Sequence, residues 1–160
     1  MASGADWVLL AYRMPREPST PRIAIWRKLR RLGVVQPLDG LVALPLDART
    51  KEQLEWLAEE VVEAGGEATV WMGRPGSVAD ERRLATAMAA AVAEEYRSVI
   101  DDAADAQGAA DQVQRRTLAR LRRELQRIER RDFFPPLERD EARKAVRDLA
   151  DAIDRQEASR

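Results

Sequence analysis

The residues of this sequence best suited to chemistry are the basic side chains that cluster between positions 13 and 31. They are Arg13, Arg16, Arg22, Arg27, Lys28, Arg30 and Arg31, and the only acid among them is Glu17. A guanidinium group presents a planar fork of donors that fits phosphate and other oxyanions in a bidentate manner. The cluster therefore predicts a surface that follows a DNA backbone, or a site for a small tetrahedral oxyanion. The alternative is a solvated helix face whose C-terminal cations are favoured by the helix dipole.

A second basic run follows later in the chain and is diluted by only two acids, Glu124 and Glu129. Its members are Arg115, Arg116, Arg120, Arg122, Arg123, Arg127, Arg130 and Arg131. This run is a second candidate surface for anions. Long charged helices also carry such faces for solubility alone, so both interpretations stay open.

Composition excludes several kinds of chemistry. The sequence has neither cysteine nor histidine, which removes disulfides, thiol catalysis, Cys/His metal sites and histidine acid–base catalysis. Lys+Arg 27 nearly cancel Asp+Glu 28, so an argument for a polyanion partner must rest on local clusters. Because no catalytic motif is present, we expect a protein without enzymatic activity, bound metal or cofactor.

The N-terminal residues and the apolar runs bear on location. The start of the chain lacks the basic region of a signal peptide. The longest apolar-rich run, at positions 88–93, is far too short to cross a bilayer. We therefore expect a cytoplasmic protein that has no membrane partner.

The elements that must position the first basic cluster follow from hydrophobic periodicity. Apolar runs at 7–12, 34–36, 41–44 and 68–72 have strand length, and Asp39-Gly40 between two of them is a strong hairpin signal. Two helical stripes lie between the strands: one contains Ile25 and Leu29, the other Leu54 and Leu57. The resulting order, β-α-β-β-α-β, predicts an α+β fold of the ferredoxin-like type with both helices on one face of the sheet.

Local signals set the expected helix ends. Thr20 is predicted to cap the first helix with Pro21 at its first position, and Gly33 to end it. Thr50 with Gln53 three residues later predicts a capping box for the second helix. The four tryptophans each fall on an element of the predicted sheet domain, and core packing is favoured for them over base stacking. They are Trp7, Trp26, Trp56 and Trp71.

The second half of the chain predicts three helices. Leu118, Leu121, Leu125 and Ile128 recur at the spacing of a coiled-coil seam. We expect a domain boundary at Gly76, with a ferredoxin-like domain at 1–76 and an α-helical extension, including an antiparallel hairpin, at 77–160. The apolar stripes of these helices must be buried on each other, on the sheet domain or on another subunit.

The words Pro-Arg-Glu-Pro-Ser, Trp-Arg-Lys-Leu-Arg-Arg-Leu-Gly and Asp-Phe-Phe occur in that order along the chain. In this order they resemble the N-terminal domain of the chromate-resistance regulatory protein ChrB. The resemblance implies a transcriptional regulator, a chromate-responsive repressor of a chromate-efflux operon. The resemblance also implies chromate or another oxyanion as a partner of the arginine cluster, because chromate is a tetrahedral dianion. Full-length relatives continue into a further C-terminal domain.

The β-α-β-β stretch is more loosely similar to the Cas2 nuclease family and to the Cas2-like domain of PaaX-type repressors. In Cas2 proteins an acidic residue that closes the first strand binds metal. This sequence has Arg13 in that neighbourhood. A metal-dependent nuclease is therefore the least favoured interpretation.

Two other functional hypotheses remain. The leading one is a DNA-binding regulator, homodimeric through its leftover apolar helix stripes, that uses the cluster at 13–31. The alternative is a non-catalytic protein-interaction module that acts through the helical hairpin and leaves the arginines without a function.

Overall fold

A computed structural model describes residues 6–159 and shows an α+β protein with a four-stranded antiparallel sheet and five helices in that part of the chain. The elements are β1 (Trp7–Arg13), α1 (Ser19–Leu32), β2 (Val35–Leu38), β3 (Leu41–Pro45), α2 (Ala48–Glu63), β4 (Glu67–Gly73), α3 (Val78–Ala106), α4 (Asp111–Arg130) and α5 (Glu138–Ala158). The predicted α+β class is confirmed.

The sheet has the strand order β2-β3-β1-β4, and every neighbouring pair is antiparallel. Val8 of β1 lies opposite Leu44 of β3, and Leu10 lies opposite Val42. These four side chains are completely buried and share one face of the sheet, because residues two apart on a strand point the same way. Leu29 of α1 and the apolar stripe of α2 complete the core of this layer.

A hairpin and a glycine set the geometry around the end of β1. Gly40, in the turn between β2 and β3, has a φ of 73°, and a Cβ there would stand 2.6 Å from the carbonyl oxygen of Tyr12. The Tyr12 amide donates a 2.8 Å hydrogen bond to the Gly40 carbonyl. The predicted Asp39-Gly40 turn is thus present, and only glycine allows so close an approach to β1.

Three sequence predictions about local structure need correction. α1 begins at Ser19 after Pro18, which provides no side-chain cap, so the predicted Thr20 cap is wrong. α2 has a capping box, but it joins Asp47 to Thr50 instead of Thr50 to Gln53. Asp47 is the N-cap residue because the two hydrogen bonds of the box are reciprocal. Its carboxylate accepts from the Thr50 amide at 2.8 Å, and the Thr50 hydroxyl accepts from the Asp47 amide at 2.9 Å.

The third correction concerns the tryptophans. Trp7 is buried and Trp26 is partly buried, but Trp56 and Trp71 are 62% and 60% exposed. Core packing is therefore wrong for the last two. Trp71 lies opposite Leu9, on the sheet face that Val8 and Leu10 do not share, and that face is incompletely covered at β4.

The chain forms two compact units, the first extending to Met88 and the second beginning at Ala89. The division falls inside α3. The boundary predicted at Gly76 lies before that helix and stays a prediction. Within residues 6–159, no helix combines the length and the apolar character needed to cross a bilayer.

The second unit has its own core, formed by α3, α4 and α5. Leu118, Leu121 and Ile128 of the predicted seam pack in it with Leu149 and Ile153 of α5. Leu125 is partly buried against the same cluster. The seam is therefore covered by helices of its own unit, so the apolar stripe that suggested a homodimer is not left over.

Candidate nucleic-acid and oxyanion interface

Helix α1 carries most of the predicted basic site because its apolar stripe is narrow. Ile25 and Leu29 are its buried residues, and they lie on one side of the helix at a spacing of one turn. Most of the remaining circumference is open to solvent and holds the basic side chains. Gly33 ends the helix in the left-handed conformation, with a φ of 80°. Arg30 and Arg31 therefore lie in the last turn, where the helix dipole favours cations.

Two members of the predicted cluster are neutralised by acids far away in sequence. Arg13 pairs with Glu67 at 2.7 Å, and Lys28 pairs with Glu60 of α2 at 2.6 Å. The other five make no ion pair with any residue in the range 6–159 and are exposed. They are Arg16, Arg22, Arg27, Arg30 and Arg31.

An open depression of about 640 Å³ lies between the end of β1, the start of α1 and the β2–β3 hairpin. Arg13 and Arg22 line it together with Tyr12, Trp26 and Asp39. Burial, and then the charge of Asp39, raise the pKa of Tyr12, so its phenol stays protonated at neutral pH and can donate a hydrogen bond. The depression thus offers two guanidinium groups, one hydroxyl donor and an aromatic wall, with one carboxylate opposing an anion.

The other basic residues of α1 lie elsewhere on the helix. Arg27 and Arg31 are four residues apart, and Arg27 and Arg30 three apart, so they are neighbours on the helix surface. Arg31 also borders a smaller groove of about 230 Å³, with Lys28 and Trp56. The structure thus brings Arg13 and Arg22 together and gathers Arg27, Arg30 and Arg31 on an open face. It does not gather the predicted cluster at one point.

Sequence reasoning did not assign Tyr12, Trp26 or Asp39 to this site. The signal that could have found them is the Asp-Gly turn, because β3 pairs with β1 and thereby returns the hairpin to the end of β1. Within residues 6–159 no three or more acidic side chains are grouped so that they could hold a metal ion.

Comparison with known proteins gives a family match over most of the chain. The sequence model of the family described as "Protein ChrB, N-terminal" matches residues 22–158. A curated protein named Protein ChrB, from Cupriavidus metallidurans, is 26% identical over 152 residues. That alignment covers 92% of this chain and 46% of the relative, so the chain spans about half the length of the protein it matches. No solved structure matches.

Proposed function

The chain belongs to the ChrB N-terminal family, which relates to chromate resistance, and we propose that it regulates that resistance by binding DNA without catalysing a reaction. The family match covers residues 22–158 and therefore includes nearly all of α1. In this proposal the protein acts in the cytoplasm, where the DNA is.

The observation that supports DNA as the ligand is the absence of counter-charges on α1. Arg22, Arg27, Arg30 and Arg31 share one helix, and none has an acidic partner among residues 6–159. Arginines three or four residues apart on a helix repel each other. A phosphate backbone relieves that repulsion, and each neutralised phosphate releases a condensed counterion.

The acidic surface of α2 limits where DNA can lie on the first unit. Glu52, Glu59 and Glu63 of α2 are exposed, whereas Glu55 and Glu60 are paired with Lys51 and Lys28. The glutamates repel phosphate, so the proposed DNA surface is the side of α1 that carries Arg27 and Arg30, with Arg31 at the edge of the groove that Glu60 also lines.

We also infer that the first unit has the ferredoxin-like arrangement. The element order from β1 to β4 and the strand order β2-β3-β1-β4 support it, since the two central strands are β1 and β3. This arrangement leaves one sheet face free of α1 and α2.

Trp71 stands on that face, and we propose it as the contact of a homodimer, which sedimentation of the wild type and of Trp71→Gln would test.

Chromate enters this proposal as the effector. Arg22 lines the depression beside Tyr12 and has no ion-pair partner among residues 6–159, and a tetrahedral dianion could accept hydrogen bonds from both side chains. In this scheme a dianion bound at Arg22 places negative charge beside α1 and so weakens the attraction of α1 for DNA.

The test is fluorescence anisotropy with a labelled duplex from the chain's own upstream DNA and a scrambled duplex, over a salt series. We expect the triple substitution Arg27→Gln/Arg30→Gln/Arg31→Gln to weaken binding to both duplexes. It should also flatten the plot of log affinity against log salt by about 2 to 3, close to one per lost phosphate contact. Chromate should release the upstream duplex, and sulfate at the same concentration serves as the control anion.

A matched control is available in the same unit. Lys51, Arg74 and Arg83 are each paired with an acid of that unit: Glu55, Asp6 and Asp80. The triple change of these residues to glutamine removes the same charge. If both triple variants bind equally, or if the salt slope of the α1 variant is unchanged, α1 is not the DNA surface.

A polar substitution in the seam of α4 cannot test the protein-interaction alternative. Leu121 is completely buried in the core of the second unit. A polar substitution there would report on folding and not on a partner. The absence of DNA binding at low salt is the result that would favour this alternative.

A further inference from the structure

Helix α4 separates its arginines into a neutralised group and an unneutralised one. Arg115 pairs with Glu157 of α5, and Arg120 pairs with Asp102 of α3 at 3.0 Å and with Glu124 at 3.2 Å. Arg131, which caps the helix, pairs with Glu95 of α3. These ion pairs connect α4 to α3 and α5 at the edges of their packed surfaces.

Four members of the unneutralised group form a line, and Arg122 lies off it. Arg116, Arg123, Arg127 and Arg130 are exposed, and none makes an ion pair within the described part of the chain. Their spacings of seven, four and three residues place them within about 60° of each other around the helix, at 100° per residue. They span about 21 Å along its axis, at a rise of about 1.5 Å per residue. We call this line the α4 arginine stripe.

The stripe lies directly opposite the buried side of α4. Leu118, Leu121 and Ile128 are buried in the core of the second unit, half a turn away from the stripe. Helices that bind a membrane surface insert their apolar face between lipids. α4 cannot do so, because its apolar face is already covered. A membrane is therefore a poor partner for the stripe.

We propose that the α4 arginine stripe is a second nucleic-acid surface that contacts the phosphates of duplex DNA without reading sequence. The choice of duplex DNA as the ligand rests on the proposed function. Duplex DNA carries about one negative charge per 1.7 Å of its axis, so a straight row of cations about 21 Å long meets phosphates along its whole length.

The neighbours of the stripe agree with a purely electrostatic role. Between the four arginines, Ala119 lies at one edge of the line and the paired Arg120 at the other, and no acid or aromatic side chain lies in the line. An aromatic platform would be needed for base stacking, and polar amides would suit base edges. Guanidinium groups alone suit phosphate, so the stripe should add affinity but no sequence preference.

The stripe is tested with the substitution Arg116→Gln/Arg123→Gln/Arg127→Gln and a labelled duplex of scrambled sequence. We expect the affinity to fall at least about tenfold at ~0.1 M salt and the salt slope to flatten by about 2 to 3. Circular dichroism checks that the variant is as helical as the wild type.

The control uses Arg122→Gln/Arg147→Gln/Arg155→Gln. These three arginines belong to the same unit, are exposed and make no ion pair among residues 6–159, but they lie off the stripe. A loss of affinity confined to the stripe variant supports the inference. An equal loss in both variants, or none in the stripe variant, overturns it.

The same measurements separate this inference from the proposed function. If the α1 triple variant loses binding and the stripe variant does not, the regulator proposal stands and the stripe is overturned. If the wild type binds upstream and scrambled duplexes equally and the stripe variant binds both weakly, the stripe is supported and the regulator proposal fails.

Discussion

The two arginine-rich helices, α1 and α4, differ in what surrounds their unpaired cations. On α1 the unpaired Arg22 stands beside partly buried Trp26 and exposed Ile23, at the rim of a depression that also contains a carboxylate. On α4 they form a straight row that faces away from the core and holds no aromatic side chain. α1 thus offers shape, hydrogen bonding and charge, whereas α4 offers charge alone.

The number of arginines in a basic run therefore does not define a binding site. Arg120 and Arg131 belong to the same basic run as the stripe, yet acids of their own unit neutralise them. On α1, Lys28 is removed from the set in the same way by Glu60. The acids of neighbouring elements therefore decide which cations remain for a ligand.

The arginines of α4 face solvent because the opposite, apolar side of the helix is packed in the core of the second unit. Leu121→Ala tests that packing and has the largest expected effect. Leu121 is completely buried, so truncation should lower the free energy of unfolding of the second unit by about 2 to 5 kcal/mol. Circular dichroism at 222 nm during urea unfolding measures it.

Leu29→Ala in α1 is the matched control, since Leu29 is also completely buried. Its effect is followed by tryptophan fluorescence, because all four tryptophans belong to the first unit. A cost below about 1 kcal/mol for Leu121→Ala would contradict the packing of the seam.

The next effect in size concerns the polar contact that joins α3 to the turn after α4. The hydroxyl of completely buried Tyr96 donates a 2.7 Å hydrogen bond to Oδ2 of Asp132, whose Oδ1 is buried without a partner in the range 6–159. Tyr96→Phe would leave the carboxylate with no partner for either oxygen, at a cost of about 1 to 3 kcal/mol. Tyr12→Phe is the control, and equal small losses in both variants would mean that the Asp132 contact contributes little.

The same hydroxyl predicts a pH dependence that distinguishes the two units. Burial, followed by the hydrogen bond and the charge of Asp132, raises the pKa of Tyr96 above its ordinary value. Its stabilising contribution is therefore complete below about pH 10 and is lost as the pH rises further, by at most about 1.4 kcal/mol per unit. Tyr96→Phe should remove this loss from the helical transition measured between pH 9 and 11, while the tryptophan-detected loss due to Tyr12 remains. An unchanged slope would contradict the assignment.

Repetition and turn chemistry explain which structural features the sequence predicted. The seam of α4 repeats over three turns, and Gly33 and Gly40 adopt a positive φ that other residues rarely reach, so these features depend on near neighbours alone. The predicted cap of α2 lies three residues late because Asp47 and Thr50 are both good caps, and the choice between them depends on where β3 ends.

The candidate site was less predictable because its charges are set over long distances in the chain. Arg13 meets Glu67 and Lys28 meets Glu60 only after the sheet and the helices have assembled. Trp71 occupies one of the alternating positions of β4, as a core residue would. Its exposure depends on how far other elements cover the second face of the sheet. The basic clusters could thus be located from sequence, but not which of their members remain unpaired.

Glu60→Gln has the smallest expected effect. It tests directly whether the acid of a neighbouring helix decides which cations of α1 remain for a ligand. The change frees Lys28 and adds one unpaired cation to α1, so duplex binding should strengthen a few-fold and the salt slope should steepen by up to about 1. Stability should change by less than about 1 kcal/mol, because both side chains of the pair are largely exposed.

Glu55→Gln frees Lys51 on α2 and changes the net charge equally, but away from the α1 surface. If both substitutions strengthen binding to the same extent, net charge governs the interaction and local pairing does not. If only Glu60→Gln does so, the acid of a neighbouring helix sets the strength of the α1 surface.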